Sequence, residues 1–213
     1  MRLVLPKLYV ILDAALIPSD ELELALKLAD AGVRLLQYRN KSASPRQVFE
    51  TAKHLAWHLV PRGVSFIVND RSDIAALAGA TGVHVGQDDL DVAAARCVVG
   101  TERWVGVSTH NLDQFQRAAA TSADYVAVGP IFPTESKRNP DPTIGIAFIR
   151  NVRSLTKKPI VAIGGITLEN AARVMESGAD SVAVISDILR APNPVEHARR
   201  YLTVLDSVKH ATV

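Results

Sequence analysis

Eight short runs of apolar, largely β-branched residues recur along the chain, and this recurrence restricts the fold more than any other feature. They are Leu8–Leu12, Leu35–Arg39, Ser65–Val68, Val83–Gly86, Trp104–Ser108, Tyr125–Gly129, Ile160–Gly164 and Ser181–Ser186. Strands covered on both faces lack polar alternation and read in this way. Helical stretches separate them. In Ser44–Val60, residues Val48, Ala52, Leu55, Ala56 and Leu59 share one face at helical spacing. Ser44 can cap that helix, Pro45 suits its first position and Gln47 completes a capping box. Repeated strand–helix units need a parallel sheet with right-handed crossovers. Eight of them in 213 residues predict a (β/α)8 TIM barrel, an α/β fold spanning 1–213 as one domain. A doubly wound open sheet would produce much the same local pattern.

Composition narrows the partners. With 48% hydrophobic and 22% charged residues, the chain can bury a core and is not of the disordered class. A net charge of +2 without a clustered basic stripe gives no case for nucleic acid or a membrane surface. The opening Met1-Arg2-Leu3-Val4-Leu5 is broken at once by Pro6 and Lys7. No stretch approaches the ~20 apolar residues of a membrane span, so a cytoplasmic protein is expected. The single cysteine, Cys97, excludes an internal disulfide, and its place after Val92–Arg96 predicts a small buried hydrophobe. His54 and His58 stand four apart on a helix, a spacing that can bind zinc, but no third ligand accompanies them and they read as a surface pair. Trp57, opposite the apolar face of that helix, marks a candidate homo-oligomer contact.

In such a barrel the chemistry lies at the C-terminal strand ends. Those ends read Gln37-Tyr38-Arg39-Asn40-Lys41, Asn69-Asp70-Arg71, Gly86-Gln87-Asp88-Asp89, Ser108-Thr109-His110, Gly129 through Lys137, Gly164-Gly165-Ile166 and Ile185-Ser186. Asp70 and Asp89 precede helices and could serve only as caps; Arg39 and Lys41 could be solvated loop charges. Against that, cations Arg39, Lys41 and Lys137 and carboxylates Asp70 and Asp89 fall on one rim. The mixture suits Mg2+ bridging phosphate oxygens, the carboxylates taking the metal and the cations the remaining anionic oxygens. Gly164-Gly165 permits close backbone approach to a ligand, and the following helix would offer N–H groups to an anion. Ser186 occupies the corresponding place one strand later. The connection Ile131–Gly145 carries Pro133, Pro140 and Pro142, has no periodicity and reads as a lid.

At these residues the chain closely resembles the thiamine-phosphate synthase family, from about Leu8 to Ile188. The resemblance rests on the strand-end segments above together with Gly82-Val83-His84-Val85-Gly86-Gln87-Asp88-Asp89, Gly106-Val107-Ser108, Ala162–Ile166 and Ala183–Ser186. It implies two phosphorylated small-molecule substrates, an aminopyrimidine-methyl diphosphate and a hydroxyethyl-thiazole phosphate, condensed to thiamine phosphate with release of diphosphate. It further implies that Gln37, Arg39, Lys41, Asn69 and Lys137 hold the pyrimidine diphosphate, with Arg39, Lys41 and Lys137 stabilising the leaving group. Asp70 and Asp89 would ligate Mg2+, and Ser108 would meet the pyrimidine. Thr134, Ser136, Gly165, Ile185 and Ser186 would meet the thiazole phosphate; the family often has threonine where this chain has Ser136. Two other readings stay open. One is a thiazole tautomerase of the same fold, with His110 as proton carrier; the other is a non-catalytic sensor of a phosphorylated ligand.

Overall fold

The computed structural model describes residues 3–18, 20–134 and 141–208. Its strands are β1 (Leu8–Asp13), β2 (Leu35–Arg39), β3 (Ser65–Asn69), β4 (Gly82–Val85), β5 (Trp104–Thr109), β6 (Tyr125–Val128), β7 (Ile160–Ile163) and β8 (Ser181–Val184). Each pairs in parallel with its neighbours in chain order. The sheet closes where Leu8, Tyr9 and Val10 of β1 meet Val182, Ala183 and Val184 of β8. Closure removes the open-sheet alternative. The outer helices are α1 (Glu21–Asp30), α2 (Pro45–Leu59), α3 (Ser72–Leu77), α4 (Val92–Val99), α5 (Leu112–Ala120), α6 (Gly145–Arg153), α7 (Ala171–Glu176), α8 (Ser186–Leu189) and α9 (Pro194–Ser207). Among the described residues, no helix is long and apolar enough to cross a membrane.

The uninterrupted apolar runs conceal a strict period of two. Leu8, Val10 and Leu12 point outward into the layer shared with Leu28 and Leu205 of the helices. Tyr9 and Ile11 point inward and join Leu35, Ile67, Tyr125, Ala127, Val161 and Ala183 in a second cluster inside the barrel. Leu5, ahead of β1, belongs to that inner cluster. Both faces of each strand are dry, so both are apolar.

The expected capping box of α2 is present, and its buried residues are the five placed on one face. Trp57 lies opposite and is 78% exposed. Cys97 departs from expectation: it is exposed. The face of α4 that meets the core is Val92, Ala95 and Val99. Two residues beyond Ala95, at about 100° per residue, Cys97 has rotated to the solvent side.

The end of the barrel where the strands begin is tied by two equivalent ion pairs. Asp124, just before β6, accepts from Val105 N at 2.7 Å and from Arg96 at 2.5 Å. Asp180, just before β8, accepts from Ile160 N at 2.8 Å and from Arg153 at 2.6 Å. Each carboxylate satisfies a backbone donor at a strand start and a guanidinium from an outer helix, stitching layer to layer.

Replacing Asp180 with Ala leaves Ile160 N without its acceptor and removes the ionic partner of Arg153, at a cost of roughly 2 kcal/mol. The thermal midpoint, followed by circular dichroism, should fall by roughly 4–8 °C on the usual scaling of ~2–4 °C per kcal/mol for a chain of this size. Asp180→Asn, which keeps an acceptor for Ile160, should recover part of the loss. An unchanged midpoint would mean that the pair does not support the frame.

Candidate active site

The inward positions turn polar toward the C-terminal ends of the strands. Taken two residues at a time, β1 ends in Asp13, β2 carries Gln37 and Arg39, β3 ends in Asn69, β4 carries His84 and β5 carries Ser108. All but Asp13 line a cavity of about 450 Å3 at this end of the barrel. The described candidates gather there without exception: Gln37, Arg39, Lys41, Asn69, Asp70, Asp89 and Ser108 on one side, Thr134 after β6, and Gly165, Ile185 and Ser186 after β7 and β8. Ser136, Lys137 and the lid residues Arg138-Asn139-Pro140 lie outside the described residues. A shallower cleft of about 410 Å3 between α1 and α2, lined by Glu21, Arg46 and Glu50 among others, lies apart from all of these candidates.

The charges are ordered by strand register. Asp13 of β1 stands opposite Arg39 of β2, and the two form a salt bridge, Asp13 being buried. Asp13 was not among the candidates. Its signal was its place at the first strand's end, in line with the inward position of Arg39 one strand on. Lys41 is paired with Asp70. The capping reading of the two aspartates is overturned: α3 has no side-chain cap at its start, and α4 is capped by Asp91. Asp89 instead accepts from Gly86 N at 2.8 Å.

Asp70 adopts a left-handed backbone with φ of 61°, a conformation that costs a non-glycine residue roughly 1–3 kcal/mol. Its N–H donates to His84 O at 2.7 Å, which holds it there. Burial raises the pKa of its carboxyl; Lys41 opposes the rise and the neighbouring Asp89 adds to it. Two neighbouring carboxylates thus act on one another, with Lys41 paired to Asp70.

On the opposite side the glycine turn is built differently from expectation. Gly164 and Gly165 have φ of 98° and 61°. A Cβ on Gly165 would lie 2.4 Å from Pro133 O, so what approaches it is the backbone of the loop after β6. The helix after the glycines does not begin at them either, because α7 starts at Ala171. The helix that opens at the mouth is the short α8, with Ser186 as its first residue. Asp187 beside it accepts from Tyr201 at 2.6 Å and contacts His197 Nε2 at 2.8 Å, anchoring the turn to α9.

The floor holds residues to which the strand ends gave no role. His84 Nε2 lies 2.9 Å from Ser108 Oγ, and its Nδ1 lies 3.2 Å from Tyr125 Oη. The His84 and Tyr125 rings stack with centroids 5.6 Å apart. In the register Gly106 stands between them, and a Cβ there would fall 2.1 Å from the tyrosine ring. That glycine is the space in which the rings meet. Burial lowers the His84 pKa from 6.5 to about 4, against an upward pull from Asp89.

A family model described as thiamine monophosphate synthase matches residues 8–188. The thiamine-phosphate synthase of Koribacter versatilis (strain Ellin345) is 50% identical over 208 residues, covering 95% of this chain and 97% of that protein. That of Chloroflexus aurantiacus is 44% identical, covering 95% and 93%. Among solved structures, thiamine phosphate pyrophosphorylase from Pyrococcus furiosus is similar with a TM-score of 0.86 at 32% identity, over 95% of this chain and 96% of that one.

The buried imidazole makes stability depend on pH in a defined window. The unfolded histidine takes up a proton below 6.5 and the folded one only near 4. Its contribution is therefore complete above pH 6.5 and is lost as pH falls toward 4. Between pH 7 and 4.5, urea unfolding of the native chain should lose about 2–3 kcal/mol more than unfolding of His84→Gln. Parallel losses in the two proteins would contradict a buried neutral imidazole.

Proposed function

The chain belongs to the thiamine monophosphate synthase family, a transferase family of thiamine biosynthesis, and we propose the substrates that it joins and how. They are 4-amino-2-methyl-5-pyrimidinylmethyl diphosphate and 4-methyl-5-(2-hydroxyethyl)thiazole phosphate, or its 2-carboxy form. The products are thiamine phosphate and diphosphate, with CO2 released in addition when the 2-carboxy form is used. The observation that carries this reading is one cavity with two unlike halves: paired cations and carboxylates on β2–β4, and a glycine turn with a helix-start hydroxyl after β7 and β8.

The carboxylate pair fits Mg2+. Asp70 and Asp89 are hard oxygen donors, close enough that Asp89 raises the Asp70 pKa. Among the described residues, no group of three or more His, Cys, Asp or Glu is placed to enclose a metal. An ion held by two carboxylates completes its shell with water and phosphate oxygens, as Mg2+ characteristically does. Bound there, Mg2+ would neutralise part of the diphosphate charge.

The rest falls to the chain's own residues. Arg39 and Lys41 exchange their aspartates for diphosphate oxygens, with Lys137 added from the loop. Gln37, Asn69 and Ser108 orient the pyrimidine, while Thr134, Ser136, Gly165, Ile185 and Ser186 hold the thiazole phosphate. The bond between the pyrimidine methylene and the bridging oxygen breaks, and its electron pair leaves with diphosphate. The electron-rich aminopyrimidine supports the cation, and the thiazole nitrogen lone pair closes the new C–N bond. No side-chain nucleophile is consumed. The tautomerase reading has His110, which lines the cavity with Nδ1 2.7 Å from Gly129 O, but it gives the cations and carboxylates no task.

Incubated with both substrates and Mg2+, the purified protein should form thiamine phosphate and diphosphate in equal amounts, and neither with a chelator present. Lys41→Ala, Asp70→Asn and Lys137→Ala should each lower kcat/KM by about 10²–10³, the scale for losing one preorganised stabilising group. Failure to form product under any metal condition, or full turnover by Asp70→Asn, would overturn the assignment.

A further inference from the structure

One carboxylate oxygen joins three elements behind the β7–β8 side of the cavity. Asp187 is the second residue of α8 and directly follows Ser186. Its Oδ2 accepts from Leu168 N, in the loop after β7, at 3.2 Å. From α9 it accepts from Tyr201 Oη at 2.6 Å, and His197 Nε2 lies 2.8 Å away. An ionised carboxylate only accepts, so His197 holds a proton on Nε2. Burial and the adjacent carboxylate raise the Tyr201 pKa, which keeps its hydroxyl a donor. The loop after β7 is also closed on itself. Asn170 Nδ2 donates to Gly165 O at 3.1 Å, and Asn170 Oδ1 accepts from Thr167 N at 3.0 Å.

The register explains what this tie does. The last pair between β7 and β8 is Ile163 with Ala183. Beyond it, Gly164, Gly165 and Ile166 after β7 and Ile185 and Ser186 after β8 line the cavity. Glycine backbone turns freely and α8 has only four residues, so local structure alone fixes neither segment. The bond from Leu168 N to Asp187 joins the two segments, and α9 holds that bond in place. Asp187 does not line the cavity, and neither do Leu168, His197 and Tyr201. Its negative charge is therefore engaged away from any anion seated between Gly165 and Ser186.

We infer that Asp187 is a positioning residue, which through Leu168 and α9 sets the spacing between Gly165 and Ser186 and so the fit of this side of the cavity to a phosphate monoester. This rests on the proposed thiazole phosphate substrate and adds the group that shapes its phosphate seat. The partners of Asp187 include none of Arg39, Lys41, Asp70 and Asp89, whose contacts lie at the ends of β1–β4. Loss of Asp187 should weaken one substrate and spare the other, whereas a general loosening of the barrel would weaken both.

Steady-state kinetics with each substrate varied in turn separates these outcomes in the native protein, Asp187→Ala, Asp187→Asn and Tyr201→Phe. Asp187→Ala should raise KM for the thiazole phosphate about tenfold, the scale of one hydrogen bond to a charged group. KM for the pyrimidine diphosphate should stay within about twofold, as for independent sites. Asp187→Asn keeps an oxygen for Leu168 N and should stay closer to the native value than Asp187→Ala. Tyr201→Phe removes one hydroxyl, keeps the ring and should raise the thiazole phosphate KM about fivefold. Calorimetric titration of the thiazole phosphate alone should show the same order of losses. Thermal unfolding identifies a variant that has lost its fold; if that is Asp187→Ala, Tyr201→Phe decides by the same comparison of the two substrates. An unchanged thiazole phosphate KM in folded Asp187→Ala or Tyr201→Phe, or an equal rise for both substrates, would overturn the positioning role and leave the substrate assignment intact. Failure of the native protein to bind or use the thiazole phosphate would overturn the substrate assignment instead.

Discussion

A parallel sheet wrapped on both faces leaves no water for an edge strand, so an unpaired N–H or C=O there would be buried without a partner. Closure of β1 onto β8 removes that cost, and the rest of the structure depends on it. Once the ring is closed, side chains alternate between a helix-facing layer and the barrel interior. The strand C-termini are then brought to one rim, and every second residue there points at a common centre. Residues far apart in the chain become opposed because the register leaves them no other direction. Asp13 and Arg39, and the run His84, Gly106, Tyr125, are set in this way.

The rim that results is electrostatically self-balanced. Arg39 is held by Asp13 and Lys41 by Asp70, while Asp89 is fixed by a backbone N–H. These pairings keep opposing charges together in a partly dry cavity, where an isolated charge would be costly. An anionic ligand entering here would compete with these carboxylates for the cations. The strained backbone of Asp70 and the mutual repulsion of Asp70 and Asp89 are the local marks of that arrangement. Below the rim the groups are neutral, since burial keeps His84 uncharged near pH 7. Charged groups lie at the mouth, and neutral hydrogen-bonding groups at the floor.

Much of the frame was legible in the chain. Seven of the eight apolar runs begin where a strand begins, the eighth beginning one residue late at β4, and the α2 capping box and buried face match residue for residue. The cavity-lining residues were legible because the motifs that carry a family resemblance also sit at strand ends. What failed did so for geometric reasons. Cys97 follows an apolar stretch yet faces solvent, because helical rotation and not local composition sets exposure. Asp70 and Asp89 stand where caps stand, yet Arg71 and Asp91 take the helix starts and free them for the cavity. Gly165 signals close approach, and the backbone of a neighbouring loop at Pro133 is one group that approaches it. His84, Tyr9 and Tyr125 gave no signal as a set, because in an all-apolar strand a single polar or aromatic residue does not reveal which face it occupies.

By itself the sequence determined the repeated strand–helix unit, the number of units and the residue types offered at each strand end, all of which depend on local propensity and short-range periodicity. The tertiary structure decided that the sheet closes, which face each residue takes and which groups share a partner. Those follow from register and ring closure, which join positions 116 residues apart in the Tyr9–Tyr125 contact and 174 apart in the Lys7–Ser181 contact. The charged rim can therefore be read from strand ends alone, whereas the hydrogen-bonded floor beneath it exists only in the closed barrel.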